Sequence, residues 1–195
     1  VDVGTPKYIY LSSLGEDASH LHGEIVEYLK SHPESKLAFQ PGTFQIKMGV
    51  EALRELYEHT EVFVCNLEEA QIITGLDTRE VRILAEKLMS YGPKVVLVTD
   101  GSHGAHSYDG SELVYMPVYP DPAPPVERTG AGDAFASTFV ACLALGMTPE
   151  EAIRRAPINS MSVVQKVGAQ EGLLTRDELE KYLTDAPAEY ASKKI

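Results

Sequence analysis

The run Glu127-Arg128-Thr129-Gly130-Ala131-Gly132-Asp133 places two glycines and a carboxylate at the start of a long apolar stretch. From Ala131 to Leu145 nearly every residue is small or apolar, which predicts a helix buried on most sides and ended by Gly146. A helix that begins at a glycine-rich turn offers unpaired backbone N–H groups and the positive end of its dipole. That setting suits a phosphate or a developing anion. Asp133 falls in the first turn, where a carboxylate stabilises the helix end by ~0.3–1 kcal/mol. Beside an anion pocket it can also accept the proton of a hydroxyl that attacks phosphorus, the base role in kinase-type phosphoryl transfer.

Other segments have both a chemical and a structural reading. Asn66-Leu67-Glu68-Glu69 is an N-cap and capping-box pair ahead of Ala70, Ile72 and Ile73, worth ~0.5–2 kcal/mol as a cap. Gly101 and Gly104 are turn glycines after the apolar run Val95–Val98, at the end of a strand where open α/β sheets bind ligands. Gln40-Pro41-Gly42-Thr43 follows a strand and is a candidate ligand contact, while Pro-Gly is first of all a turn signal. His20-x-His22 and His103-x-x-His106 lack neighbouring Cys or carboxylates at site-forming spacing, which argues against zinc.

The elements that must position these residues are readable. Tyr8–Leu11, Leu37–Phe39, Val62–Cys65 and Val95–Val98 are continuous apolar runs, as strands covered on both faces should be. Between them Leu21, Ile25, Tyr28 and Leu29 repeat at helical spacing, as do Val81, Leu84, Ala85 and Leu88. Alternation of this kind predicts a layered α/β fold around a mainly parallel sheet. Asp109-Gly110 between His106, Tyr108, Leu113 and Tyr115 signals a hairpin, expected to form an antiparallel edge. Thr148-Pro149-Glu150-Glu151 and Thr175-Arg176-Asp177-Glu178 predict helix starts near Pro149 and Arg176. Asp121–Pro125 reads as a stiff connection into the Gly130 turn, and the tail from Ala186 to Ile195 has little core-forming pattern and is expected to fray.

The 195 residues suffice for one compact core. A net charge of −12 without a basic cluster speaks against nucleic acid as a partner. Cys65 and Cys142 lie in apolar segments and read as reduced core residues, no apolar run is long enough to span a bilayer, and Val1–Tyr10 lacks the regions of a signal peptide. The expected location is cytoplasmic. There is no Gly-x-x-x-x-Gly-Lys-Ser/Thr, and Phe135 stands where a dinucleotide fingerprint would need its third glycine.

ERTGAGDAFA resembles the signature of the ribokinase-like carbohydrate kinases, the PfkB family, whose motif usually opens with Asp and ends in the catalytic Asp. Two further motifs agree in order: Asn66–Glu69 is similar to the family's Asn-x-x-Glu element, and Thr99–Gly104 to its Thr-x-Gly-x-x-Gly turn. The resemblance runs from about Tyr8 to about Leu183. It implies a three-layer ribokinase-like fold, with residues 1–195 as one partial domain whose N-terminal part and lid are missing. It implies transfer of the ATP γ-phosphoryl group to a hydroxyl of a sugar, sugar phosphate or nucleoside. Asp133 would be the base and Gly130, Ala131 and Gly132 the anion hole. Asn66, Glu69, Thr99, Gly101 and Gly104 would face the nucleotide, with Glu69 on Mg2+ through water. Asn159 would line the nucleotide wall or be a solvated helix residue. Glu127 departs from the family's Asp, which in some members helps hold a monovalent cation, so such a cation stays an open alternative. So does a homodimer. The alternative function is a nucleotide-binding fragment without catalytic competence, binding adenine nucleotide weakly.

Overall fold

The computed structural model describes residues 4–195; residues 1–3, which open the segment read as lacking a signal peptide, lie outside them. Among the described residues the strands are β1 (Tyr8–Leu11), β2 (Lys36–Phe39), β3 (Thr60–Asn66), β4 (Val95–Thr99), β5 (Ala105–Tyr108), β6 (Leu113–Met116) and β7 (Lys193–Lys194). The helices are α1 (Leu21–Ser31), α2 (Thr43–Met48), α3 (Arg54–Glu58), α4 (Leu67–Thr74), α5 (Val81–Met89), α6 (Ala131–Ala144), α7 (Pro149–Ile153), α8 (Ala156–Val163) and α9 (Arg176–Thr184). The strands neighbour one another in chain order in one mixed sheet of a three-layer α/β fold, as expected. The chain divides into two compact units. The first runs to Val98 and adds Tyr108–Ser111; the second takes Thr99–Ser107 and Glu112–Ile195.

In the first unit β1 pairs parallel with β2, and β2 with β3. The apolar runs of β2, β3 and β4 are largely sealed from water, with Leu37, Ala38, Phe39, Val62, Phe63, Val96 and Leu97 fully buried; the run Tyr8–Leu11 is not covered on both faces, since only Leu11 of β1 is buried. Rings of Phe39, Tyr57 and Phe63 meet edge-on or tilted at 5.2–5.7 Å, a geometry favoured by their quadrupoles. The β2–β3 register shifts between Leu37 and Ala38, so Glu61 is an extra residue on β3. Its carboxylate accepts from Lys36 at 2.7 Å and Lys94 at 3.0 Å, and these partners hold it below the usual carboxylate range against the opposing effect of burial. α2 and α3 are short helices for which the sequence shows no clear apolar period.

In the second unit α6 packs on α8, with Ala136, Phe139, Ile158 and Val163 fully buried. The exposed residues Asp133, Ser137 and Ala141 recur every fourth position, so α6 is buried on all sides but one stripe, and Asp133 heads that stripe. α7 and α9 begin where the sequence places them. Thr148 and Thr175 accept from the N–H groups of Glu151 and Glu178, whose carboxylates return bonds at 2.8 Å to the capping N–H groups.

Two expectations are corrected here. The hairpin of β5 and β6 is not the edge, because β7 pairs antiparallel with β6 and lies outside it. The tail does not fray: Tyr190 is buried, its hydroxyl donates to the Arg154 carbonyl at 2.7 Å, and its ring meets Tyr119 at 4.8 Å. One anchoring aromatic gives no periodicity, so the sequence alone conceals it. Among the described residues no helix is long and apolar enough to cross a membrane.

Candidate active site

The second unit carries most of the residues singled out. Gly130 is the N-cap of α6 with φ +82°, a left-handed conformation that a residue with a Cβ adopts only at a cost. A Cβ there would also come 2.6 Å from Ala169 Cβ, so glycine is demanded twice over. Gly132 is different. Its φ is not left-handed, and a Cβ built on it would meet nothing within 4 Å. The fold does not require glycine at 132. What glycine does there is leave the backbone bare at the helix's positive end, one residue before the exposed Asp133.

The turn is held by its neighbours. Ala134 N–H donates to Gly130 O at 2.8 Å, Ala131 N–H to Arg128 O at 3.3 Å, and Ser160 Oγ to Ala131 O at 3.0 Å. Ser137 Oγ donates back to Asp133 O at 2.6 Å. Glu127 Oε2 accepts from Gly168 N–H at 2.9 Å. The Thr129 side chain and this N–H hold the Glu127 carboxyl below the usual carboxylate range.

Thr99 ends β4, and the following turn is closed by Asp100 N–H on Gly104 O at 2.8 Å and His103 N–H on Asp100 O at 2.9 Å. Gly104 has φ +94°, and a Cβ there would stand 2.4 Å from Met116 O, so packing requires this glycine. Gly101 has φ +52° with open space around it. His106 leaves the turn on β5 with its ring against Tyr115; burial pushes its pKa down while Asp100 opposes the shift, and Nδ1 has no protein partner.

Asn159 is buried at 8 % exposure, and both ends of its amide are engaged. Nδ2 donates to Thr138 Oγ1 at 2.8 Å, and Oδ1 accepts from Leu174 N–H at 3.0 Å. It braces α6, α8 and the approach to α9; it is not a solvated helix residue.

In the first unit Asn66 is the N-cap of α4 at the carboxyl end of β3. Asn66 Oδ1 accepts from Glu69 N–H and Glu69 Oε2 from Asn66 N–H, each at 2.8 Å. The box uses one Glu69 oxygen for this bond and leaves the other as an acceptor site. Beside it the Tyr10 hydroxyl donates to Gln40 Oε1, and buried Gln45 accepts from Gly42 N–H at 3.0 Å while donating to Ser12 O at 3.3 Å. The Gln40 loop here is the one singled out in the sequence; the part of Gln45 was not legible, because it reads as one more polar helix residue and its partners lie in two different loops.

The pfkB family carbohydrate kinase model matches residues 2–176. The chain belongs to this family. A cytidine kinase of Thermococcus kodakarensis is 36% identical over 118 residues, 60% of this chain and 41% of that protein. A ribokinase of Bacillus subtilis is 34% identical over 131 residues, 67% of this chain and 42% of that protein. Among solved structures, a ribokinase II of E. coli in complex with ATP and Mg2+ superimposes with a TM-score of 0.76 at 24% identity, over 92% of this chain and 59% of that one. The chain therefore spans roughly half the length of these pfkB relatives. Its fold is theirs.

Among the described residues no three His, Cys, Asp or Glu side chains are grouped to hold a metal by themselves. Glu69 is exposed in part at a helix start, with one carboxylate oxygen outside the capping box.

Proposed function

We propose that this chain takes part in ATP-dependent phosphoryl transfer to a hydroxyl of a sugar, sugar phosphate or nucleoside. The observation that carries the reading is Gly132, a glycine that neither backbone conformation nor packing requires, at the start of a buried helix and next to an exposed carboxylate. Asp133 orients the acceptor hydroxyl and takes its proton as the hydroxyl oxygen attacks the γ-phosphorus and the bond to the ADP oxygen breaks. The N–H groups of Gly130, Ala131 and Gly132 stabilise charge on the transferring group, with Ala131 exchanging its long bond to Arg128 O for the ligand. Thr99, Gly101 and Gly104 line the nucleotide. Asn159 supports the wall beside it from behind, through Thr138 and Leu174. In the first unit Asn66 and Glu69 serve the nucleotide phosphates, Glu69 through water on Mg2+, which when bound neutralises phosphate charge. Two buried free thiols, Cys65 and Cys142, support a reducing, cytoplasmic location.

A second reading is favoured by length: the chain covers 41% of the cytidine kinase and 42% of the ribokinase. On that reading these residues hold adenine nucleotide without transferring its phosphoryl group. One measurement pair separates the two, nucleotide binding and substrate-dependent ADP production on the same purified sample. If transfer is seen, Asp133→Asn should lower kcat by ~10²-fold or more while nucleotide affinity hardly changes, the scale expected for loss of a general base. Near-normal turnover in that variant would remove Asp133 from the base role.

A further inference from the structure

Glu127 stands in the segment that leads into the Gly130 turn, and its surroundings show what that segment is fastened to. Gln165 Nε2 donates to Ala123 O at 3.1 Å, Val126 N–H to Val164 O at 2.8 Å, and Glu127 N–H to Val164 O at 3.3 Å. Past these backbone ties the Glu127 carboxylate reaches across to Gly168 N–H at 2.9 Å. The next residue, Ala169, is the one Gly130 presses against. Glu127, which the Thr129 side chain also bonds, thus joins by its side chain the same two segments that close on Gly130.

The family likeness raises a monovalent cation at this position, held in part by a carboxylate at 127. The residues present do not fit it. An ion held by that side chain would occupy the gap the side chain spans. Here the gap is closed by the carboxylate itself, and Gly168 turns the positive end of its N–H toward the place an ion would take. A carbonyl oxygen there would attract a cation; an N–H repels it.

We infer that Glu127 is a positioning residue that takes over, with its own carboxylate, the fastening a monovalent cation would provide, so that the Gly130–Gly132 turn is ordered without potassium. The longer side chain is the reason. Aspartate, one methylene shorter, falls short of Gly168 and leaves room for an ion between the segments. This rests on the proposed function only for the nucleotide readout below; the ordering of the turn is tested separately.

The experiment compares the protein in potassium chloride and in choline chloride at equal ionic strength, by amide hydrogen exchange at Gly130–Gly132 without nucleotide and by equilibrium binding of magnesium with a non-hydrolysable ATP analogue. Wild type should give the same exchange and affinity in both salts. Glu127→Ala should speed exchange at the turn in both, and weaken binding about tenfold, the scale of one hydrogen bond to a charged group. Glu127→Gln, whose amide oxygen still accepts from Gly168, should keep slow exchange, which controls for misfolding of the alanine variant. Glu127→Asp should exchange fast in choline and slowly in potassium, an ion-selective response that loss of packing would not produce. Potassium-selective ordering of the wild type, wild-type exchange in Glu127→Ala, or a Glu127→Asp indifferent to potassium would each overturn the inference. Absence of analogue binding by the wild type in either salt would count against the proposed function alone, since the exchange data still decide the role of Glu127.

Discussion

Thr138 and Asn159, twenty-one residues apart on α6 and α8, are joined by a 2.8 Å hydrogen bond inside the second unit's core. The same amide accepts from Leu174 N–H, so one buried side chain satisfies a hydroxyl and a backbone group. Asn159→Ala should therefore cost about 2 kcal/mol or more in urea unfolding, because buried partners stripped of a hydrogen bond lose 1–3 kcal/mol each. Thr138→Val should cost less, as it leaves the Leu174 bond in place. A silent Asn159→Ala would show that the brace carries no weight.

Gly130 and Gly132 should respond oppositely to alanine. Gly130→Ala meets both a left-handed φ and the Ala169 methyl, so its melting temperature should drop steeply, with ~1–2 kcal/mol from the backbone term alone. Gly132→Ala has open space and should melt as the wild type does, or slightly higher. Nucleotide affinity should fall in Gly132→Ala all the same, because the methyl shields the backbone that the phosphate approaches. Unchanged affinity in that variant would take Gly132 out of the anion site.

Glu69→Gln tests whether the capping box also serves magnesium. Glutamine fills the box as well as glutamate does, so stability should hardly move. The magnesium concentration for half-maximal nucleotide binding should rise, since a neutral amide holds a hydrated cation less firmly. A magnesium titration that overlays the wild type would leave the cap as the whole role of Glu69.

His22 gives an acid-side prediction. It is 6 % exposed, neither ring nitrogen has a protein partner, and burial pushes its pKa below the ordinary 6.5. Above pH 6.5 the ring is neutral whether the chain is folded or not, and no penalty arises. As pH falls below 6.5 the unfolded chain takes up the proton first, so folded stability declines until the folded pKa is passed. The melting temperature should drop between pH 7 and 5, and His22→Leu should flatten that part of the profile. Parallel profiles for the two proteins would locate the acid sensitivity elsewhere.

Local signals told most of the fold. Each strand from β1 to β4 coincides with an apolar run, and each Thr-x-x-Glu begins its helix, because short-range patterning and capping decide these features within one turn or strand. The head of α6 was legible for the same reason. The structural roles of Asn159, Glu127 and Tyr190 were not, since the Thr138, Leu174, Gly168 and Arg154 groups they bond lie 15 to 41 residues away along the chain. A polar helix residue gives no sign in sequence of whether water or Leu174 awaits its carbonyl. The glycines at 168 and 172 were the available hint for the loop that meets Gly130: at 172 a Cβ would stand 2.5 Å from Ser162 O.

The strand β7 is two residues long, and both are lysines, with Lys194 paired to Glu112 at 2.8 Å and Ile195 N–H on Leu113 O at 2.9 Å. A margin so short and so charged offers another molecule no ladder to extend. Beneath it lies Leu113–Met116, apolar and mostly buried, the kind of strand that recruits copies of itself once uncovered. Lys193, Lys194 and Ile195 thus shield an apolar strand with charge, a guard against aggregation as much as a part of the fold.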